Sequence, residues 1–166
     1  SYTFAVDGVS RALTHQLVRH RLASFNQQSQ RYVKFTKGVE TVKPHTVEDD
    51  EEASKVFDEA IEAVIEGYQK LLEMGIPAED ARYLLPNAAE TKIVITMNIR
   101  ELLHFFSLRC CNRAQWEIRE LAHKMLELVK PTAPYIFMDA GAPCVRGNCP
   151  EGKMTCGNPY PKVVRD

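Results

Sequence analysis

Residues 19–32 read RHRLASFNQQSQRY, a run of hydrogen-bond donors with little apolar surface to bury. Arg19, His20 and Arg21 stand side by side, and Ser24, Asn26, Gln27, Gln28, Ser29 and Arg31 follow. A guanidinium offers a planar fork that matches a phosphate bidentately, and hydroxyls and loop N–H groups complete such a cradle. Within residues 1–38 the cations Arg11, Arg19, Arg21, Arg31, Lys34 and Lys37 face one acid, Asp7. The net charge is −1, so no global field recruits anions and the site must be local. On spacing alone the stretch reads as a phosphate or nucleotide site, with a solvated basic loop as the plainer alternative.

Three other chemistries compete for these residues. Phe25, Tyr32 and Phe35 interleave with the cations as stacking platforms for a nucleic acid would, yet the neutral charge and the lack of a binding motif speak against that. Ser29 has no nucleophile elbow around it and reads as a hydrogen-bonding group. His15 and His20 read as ordinary polar contacts until something else is known. Cys144, Cys149 and Cys156 follow a C-x4-C-x6-C spacing that does not match zinc knuckles, and Cys110 and Cys111 are adjacent. Five thiols without secretory context read as reduced cysteines, structural or merely tolerated, with metal binding by the tail as the sharper alternative.

The elements that must position this chemistry follow from periodicity. Tyr2, Phe4 and Val6 alternate with Thr3 and Ala5 and predict a strand ended by Asp7-Gly8. Val9, Leu13 and Leu17 predict a helix over 9–20, with Arg11, His15 and Arg19 four apart on another face. Residues 22–45 read as a long polar loop of the kind that carries function or disorder. Thr46 is the expected cap of the next helix, whose positive end suits the acids from Glu48 to Glu52. Val56, Phe57, Ala60, Ile61, Val64, Tyr68, Leu71 and Leu72 form its apolar stripe, and Gly75 ends it. Pro77 starts a short helix that runs through Arg82 and stops at Pro86.

Thr91 to Met97 is rich in β-branched residues and predicts a buried strand. Asn98 and Glu101 fit a capping box, with Asn98 accepting from the first turn and Glu101 reaching back. The helix from Ile99 to about Arg109 is expected to bury Leu102, Leu103 and Phe106, with Arg100 and His104 on its other side. A further helix, from Ala114 to Val129, is expected to bury Trp116, Ile118, Leu121, Met125 and Leu128. From about residue 131 a tail rich in Pro, Gly and Cys should be irregular. The fold class is therefore α+β, a small sheet with several long helices in a single domain over 1–166. Two predicted strands make a poor sheet alone, so further strands are expected from an absent N-terminal segment or from subunit pairing. No apolar run approaches the roughly 20 residues of a membrane span, and the chain opens in mid-strand with no leader, as a cytoplasmic fragment would.

The residues just named resemble one family. Arg-His-Arg, seven residues, then Ser29 looks like the signature of the flavin-dependent thymidylate synthases. The likeness extends to ARYLLP (81–86), MNIRELLHFFSLR (97–109) and AQWEIRELA (114–122). The resemblance implies conversion of dUMP to dTMP, with methylenetetrahydrofolate as one-carbon donor and FADH2, renewed by NADPH, as reductant. It implies FAD contacts from Arg19, His20, Arg21, Gln27, Asn98, Arg100 and His104. It implies a dUMP site lined by Gln16, Arg19, Gln27, Gln28, Ser29, Gln30, Arg31 and Arg82. Arg109 would hold the uracil edge and favour ionisation at N3, the one catalytic role. It further implies a homotetramer with active sites built between subunits, and no nucleic-acid polymer or membrane as partner. The family's N-terminal segment, with a His and a Thr that help bind flavin and folate, is expected to be missing ahead of Ser1. Gln27 stands where some members carry Glu. A truncated relative that binds nucleotide without catalysis is the rival reading.

Overall fold

The computed structural model describes residues 1–31 and 39–162. Tyr32, Lys34, Phe35, Lys37 and Gly38, cited above for stacking, charge and loop character, lie outside the described residues. The fold is α+β, as expected. Strands β1 (Tyr2–Ser10), β2 (Ala23–Gln27) and β3 (Glu90–Met97) form a sheet in the order β1-β3-β2. The chain resolves into two compact units. The first holds 1–4, 16–25 and 95–166; the second holds 5–15 and 26–94.

Strand β2 was not expected, because residues 22–45 read as loop. Its residues alternate, with Ala23, Phe25 and Gln27 half-buried and Ser24 and Asn26 exposed, so the period of 2 is present but short and set inside a polar run. β1 also runs longer than expected. Gly8 adopts φ +72° inside the strand, and the alternation of buried and exposed positions breaks there. A residue without Cβ absorbs that kink, so Val9 and Ser10 stay in the strand rather than opening a helix. Helix α1 is accordingly short, Arg11–Leu17. Ser10 Oγ accepts from the Leu13 N–H at 3.0 Å and caps it.

In the second unit, short α2 (His45–Glu48) precedes the 23-residue α3 (Glu51–Glu73). Asp50, not Thr46, caps α3, accepting from Ala53 N–H at 2.9 Å. The acids at its start serve the helix dipole, as expected. Of the α3 stripe, Tyr68 alone is fully buried, and Val56 is 62% exposed. Gly75, at φ +82°, ends the helix, and Pro77 is the N-cap of α4 (Ala78–Ala81) rather than its first residue, so that helix starts one position later than expected.

In the first unit, α5 (Ile99–Arg109) and α6 (Trp116–Val129) build the core. Phe105, rather than Leu103, joins Leu102 and Phe106 in the interior. On α6 the buried set is Ile118, Leu121, Ala122, Met125, Leu126 and Val129, while Trp116 is half-buried and Leu128 is 65% exposed. On a 3.6-residue period Leu128 lies within about 20° of Leu121, at the rim of the buried face, so periodicity alone does not foretell its exposure. Gln115 caps this helix, so Ala114 lies outside it. The tail is more ordered than expected. It forms α7 (Pro134–Phe137) and single 3-10 turns, and it buries Phe137, Ala140, Ala142 and Cys144. Edge-on contacts of Phe137 with Phe106 and Tyr2, at 6.3 and 5.8 Å between centroids, supply the reason: a Pro-rich segment still buries area when aromatics anchor it.

Candidate active site

In the first unit His20 is buried between two charged partners. Its Nδ1 lies 3.1 Å from Glu101 Oε1, and its Nε2 lies 3.0 Å from Arg109 Nε. A guanidinium can only donate, so Nε2 must accept, and Nδ1 carries the proton and donates it as a hydrogen bond to the Glu101 carboxylate. Burial lowers the pKa of His20 most, and the Arg109 charge adds to that; Glu101 opposes both. The imidazole is thus held neutral, in one tautomer, in a Glu101–His20–Arg109 row.

The capping pattern misassigned Glu101. Asn98 does cap α5, with its Oδ1 accepting from Glu101 N–H at 2.9 Å. The Glu101 carboxylate does not reach back. It turns inward to His20, because a buried imidazole N–H needs an acceptor more than a solvated cap needs a second one. Glu101 is therefore a site residue that the capping pattern concealed.

Arg19 and Arg21 flank His20 in the chain and are both exposed, so the Arg-His-Arg triplet alternates outward, inward, outward. The Arg19 N–H closes a turn on the Gln16 carbonyl at 3.2 Å, and His20 N–H does the same on Leu17. Arg100 and His104 are exposed on α5, one turn apart, and the His104 ring stands edge-on to His20 at 6.0 Å. Arg109 spends Nε on His20, and its four other N–H groups have no acceptor among the described residues. Desolvation pulls the Arg109 pKa down from its usual value.

In the second unit another cationic group gathers. Arg11 donates from Nη2 to the Gln28 carbonyl at 2.8 Å, and its Nε is buried without a partner among the described residues. Burial lowers its pKa, and so does the like charge of Arg82. Two guanidinium groups that repel each other, one with an orphaned donor, ask for an anion. Arg82 Nε donates to the Glu79 carbonyl at 2.9 Å, and Arg31 pairs with the Glu79 carboxylate at 3.1 Å. Ser29 Oγ accepts from Arg31 N–H at 3.2 Å, and Gln30 is half-buried beside it in the chain. Gln27 faces inward, donating to Thr14 Oγ1 at 3.1 Å and Thr91 Oγ1 at 3.4 Å. Arg11 was read only as part of a helical stripe. Its repulsion by Arg82 depends on a contact 71 positions away, which no local pattern carries.

Among the described residues no group of three or more His, Cys, Asp or Glu could hold a metal ion. Nor is any helix among them long and apolar enough to cross a membrane.

Fold and site together define an α+β protein with two cationic clusters and a buried histidine whose pKa is lowered. Residues 1–135 match the family described as thymidylate synthase complementing protein, Thy1. The flavin-dependent thymidylate synthase of Geobacter sulfurreducens is 60% identical over 158 residues, which is 95% of this chain and 68% of that protein. Those of Clostridium tetani and Pyrococcus horikoshii are 50% and 49% identical, over 95% and 93% of this chain and 69% and 67% of theirs. This chain belongs to the thymidylate synthase complementing protein family.

Proposed function

We propose that this chain carries the activity its relatives' names state, flavin-dependent synthesis of thymidylate. dUMP is converted to dTMP, methylenetetrahydrofolate donates the carbon, and FADH2 renewed by NADPH is the reductant. The single observation that carries the reading is the Glu101–His20–Arg109 row. It holds a guanidinium by one nitrogen and leaves its remaining donors open to a ligand.

Arg109 is the catalytic residue of this reading. Its terminal N–H groups donate to a uracil carbonyl and stabilise negative charge as N3 ionises. Pre-alignment by His20 removes the need to order a long side chain when substrate arrives. His20 has both ring nitrogens engaged, so it serves by ring packing and by aiming Arg109. The cations of the second unit hold the phosphate of dUMP: Arg31 and Arg82, helped by Gln28, Ser29 and Gln30. Gln27 supports them from behind through its two threonine contacts. Gln16 and Arg19 complete the substrate contacts.

The donor set suits a dinucleotide diphosphate as well. Arg19, Arg21 and Arg100 present exposed guanidinium groups, with Asn98 and His104 nearby on α5, and a diphosphate carries the charge they lack. When bound, FAD would supply the hydride that completes the methyl group, while these side chains bind and orient. A homotetramer with active sites between subunits, in the cytoplasm, belongs to the same reading. The long α3 supports it, since that helix buries one residue fully and leaves an apolar stripe half-covered. Partners are dUMP, folate and NADPH.

The test is the visible spectrum of the purified protein, titrated with FAD and then dUMP, followed by assay of NADPH-dependent dTMP formation. A flavin band that shifts with FAD and again with dUMP, with turnover, supports the synthase. dUMP binding with no turnover at saturating FAD, folate and NADPH would leave the non-catalytic relative.

A further inference from the structure

Four of the five thiols, none of which the proposed reaction uses, converge on one cavity. In the first unit Cys111, Cys144, Cys149 and Cys156 line a cavity of about 310 Å3 together with Asn112 and Tyr160. The fifth, Cys110, is fully buried, and desolvation pushes its thiol up to about 12, which makes it unreactive. The other four are not equivalent. Cys156 is exposed and its Sγ accepts from Asn158 N–H at 3.4 Å. Cys144 is buried, and its Sγ is engaged by Tyr160 N–H at 3.4 Å. Cys111 and Cys149 are half-buried.

The tail is fastened to the loop between α5 and α6 at the place where these thiols meet. Asn112 Nδ2 donates to the Asn158 carbonyl at 2.8 Å, and Tyr160 O–H donates to Asn112 Oδ1 at 2.6 Å. Arg113 Nη1 pairs with Glu151 Oε2 at 3.1 Å. Residues adjoining Cys111 therefore hold residues close to Cys156, across a gap of 45 positions in sequence. Arg109, two residues before Cys111, lines the same cavity.

We propose that this cavity is a thiol–disulfide site, in which Cys156 reacts with a small-molecule disulfide of the glutathione type and Cys111 resolves the product. The Cys156 thiolate attacks one sulfur, the disulfide bond breaks, and one small thiolate leaves. The Cys111 thiolate then attacks Cys156 Sγ and expels the second small thiolate. Two protein thiols lose two protons and two electrons, and the small disulfide becomes two thiols. The new bond ties the tail to the loop that follows Arg109, replacing hydrogen bonds by a covalent brace.

The experiment treats the FAD-loaded protein with glutathione disulfide, then maps tryptic peptides without reduction. Peptide 110–113 should appear joined to peptide 154–162, with two thiols lost per chain and both restored by dithiothreitol. Cys111→Ser should stop the sequence at one glutathionyl group on Cys156, and Cys156→Ser should leave Cys111 free. A bond within the tail, between peptides 147–153 and 154–162, would overturn the proposal. So would loss of no thiols at glutathione disulfide concentrations that oxidise a simple dithiol. The readout is thiol mass and not turnover, so it stands or falls apart from the proposed reaction.

Discussion

Arg109 Nε donates to His20 Nε2 at 3.0 Å, a bond that joins the last turn of α5 to the Arg-His-Arg triplet 89 positions earlier. It sets the imidazole tautomer, and Glu101 completes the row from the other nitrogen. Glu101→Ala leaves a buried Nδ1–H without an acceptor, which costs about 1–3 kcal/mol. Urea denaturation should register that loss. Under the proposed reaction the same variant lowers kcat more than it raises KM for dUMP, because Arg109 loses its aim. Glu101→Gln, whose side-chain oxygen can still accept, should recover most of the stability.

The row also makes stability depend on pH. The folded pKa of His20 lies below its ordinary 6.5, chiefly through burial and then through Arg109. An unfolded chain therefore takes up a proton before the folded one does as pH falls. Stability is fully present above 6.5 and is lost as pH drops from there through the depressed folded value. His20→Gln cannot titrate, so its denaturation midpoint should change less across that window. An equal slope in both proteins would remove His20 as the source.

Arg11 carries a buried donor with no partner among the described residues and feels the charge of Arg82. An arriving phosphate relieves both. Arg11→Lys removes the fork and the orphaned Nε–H, and should raise the Kd for dUMP about tenfold or more, the scale of one charged hydrogen bond. Calorimetric titration would give the number. Lysine keeps the positive charge, so the repulsion by Arg82 persists and the loss of affinity reports the lost guanidinium donors.

Ser29 sits among cations, and its Oγ is an acceptor for Arg31 N–H in a turn. Ser29→Ala should keep measurable turnover with a higher KM for dUMP. Loss of all turnover with dUMP binding intact would make the hydroxyl chemical rather than positional.

Asn98 has two ends with separate duties. Its Oδ1 caps α5, worth about 1 kcal/mol. Asn98→Asp keeps the cap and loses the amide donor. If the amide serves the flavin, FAD affinity should fall while thermal stability holds. Unchanged FAD affinity would reduce Asn98 to a cap.

The sequence by itself determined whatever depends on neighbours in the chain. The strand Glu90–Met97, the two long helices α5 and α6, the cap at Asn98 and the donor-rich run from Arg19 to Arg31 all follow from local composition and period. The motif spacing also carried the family. Tertiary structure alone decided the pairings. β2 is a strand because β3 offers it hydrogen bonds, although its five residues sit inside a polar run. Glu101 left its capping role for His20, Arg11 met Arg82, and four scattered cysteines came to one cavity. The Glu101 outcome turns on the cost of burying a polar group without a partner. That cost falls on groups brought together from distant positions, and local period and spacing do not record it.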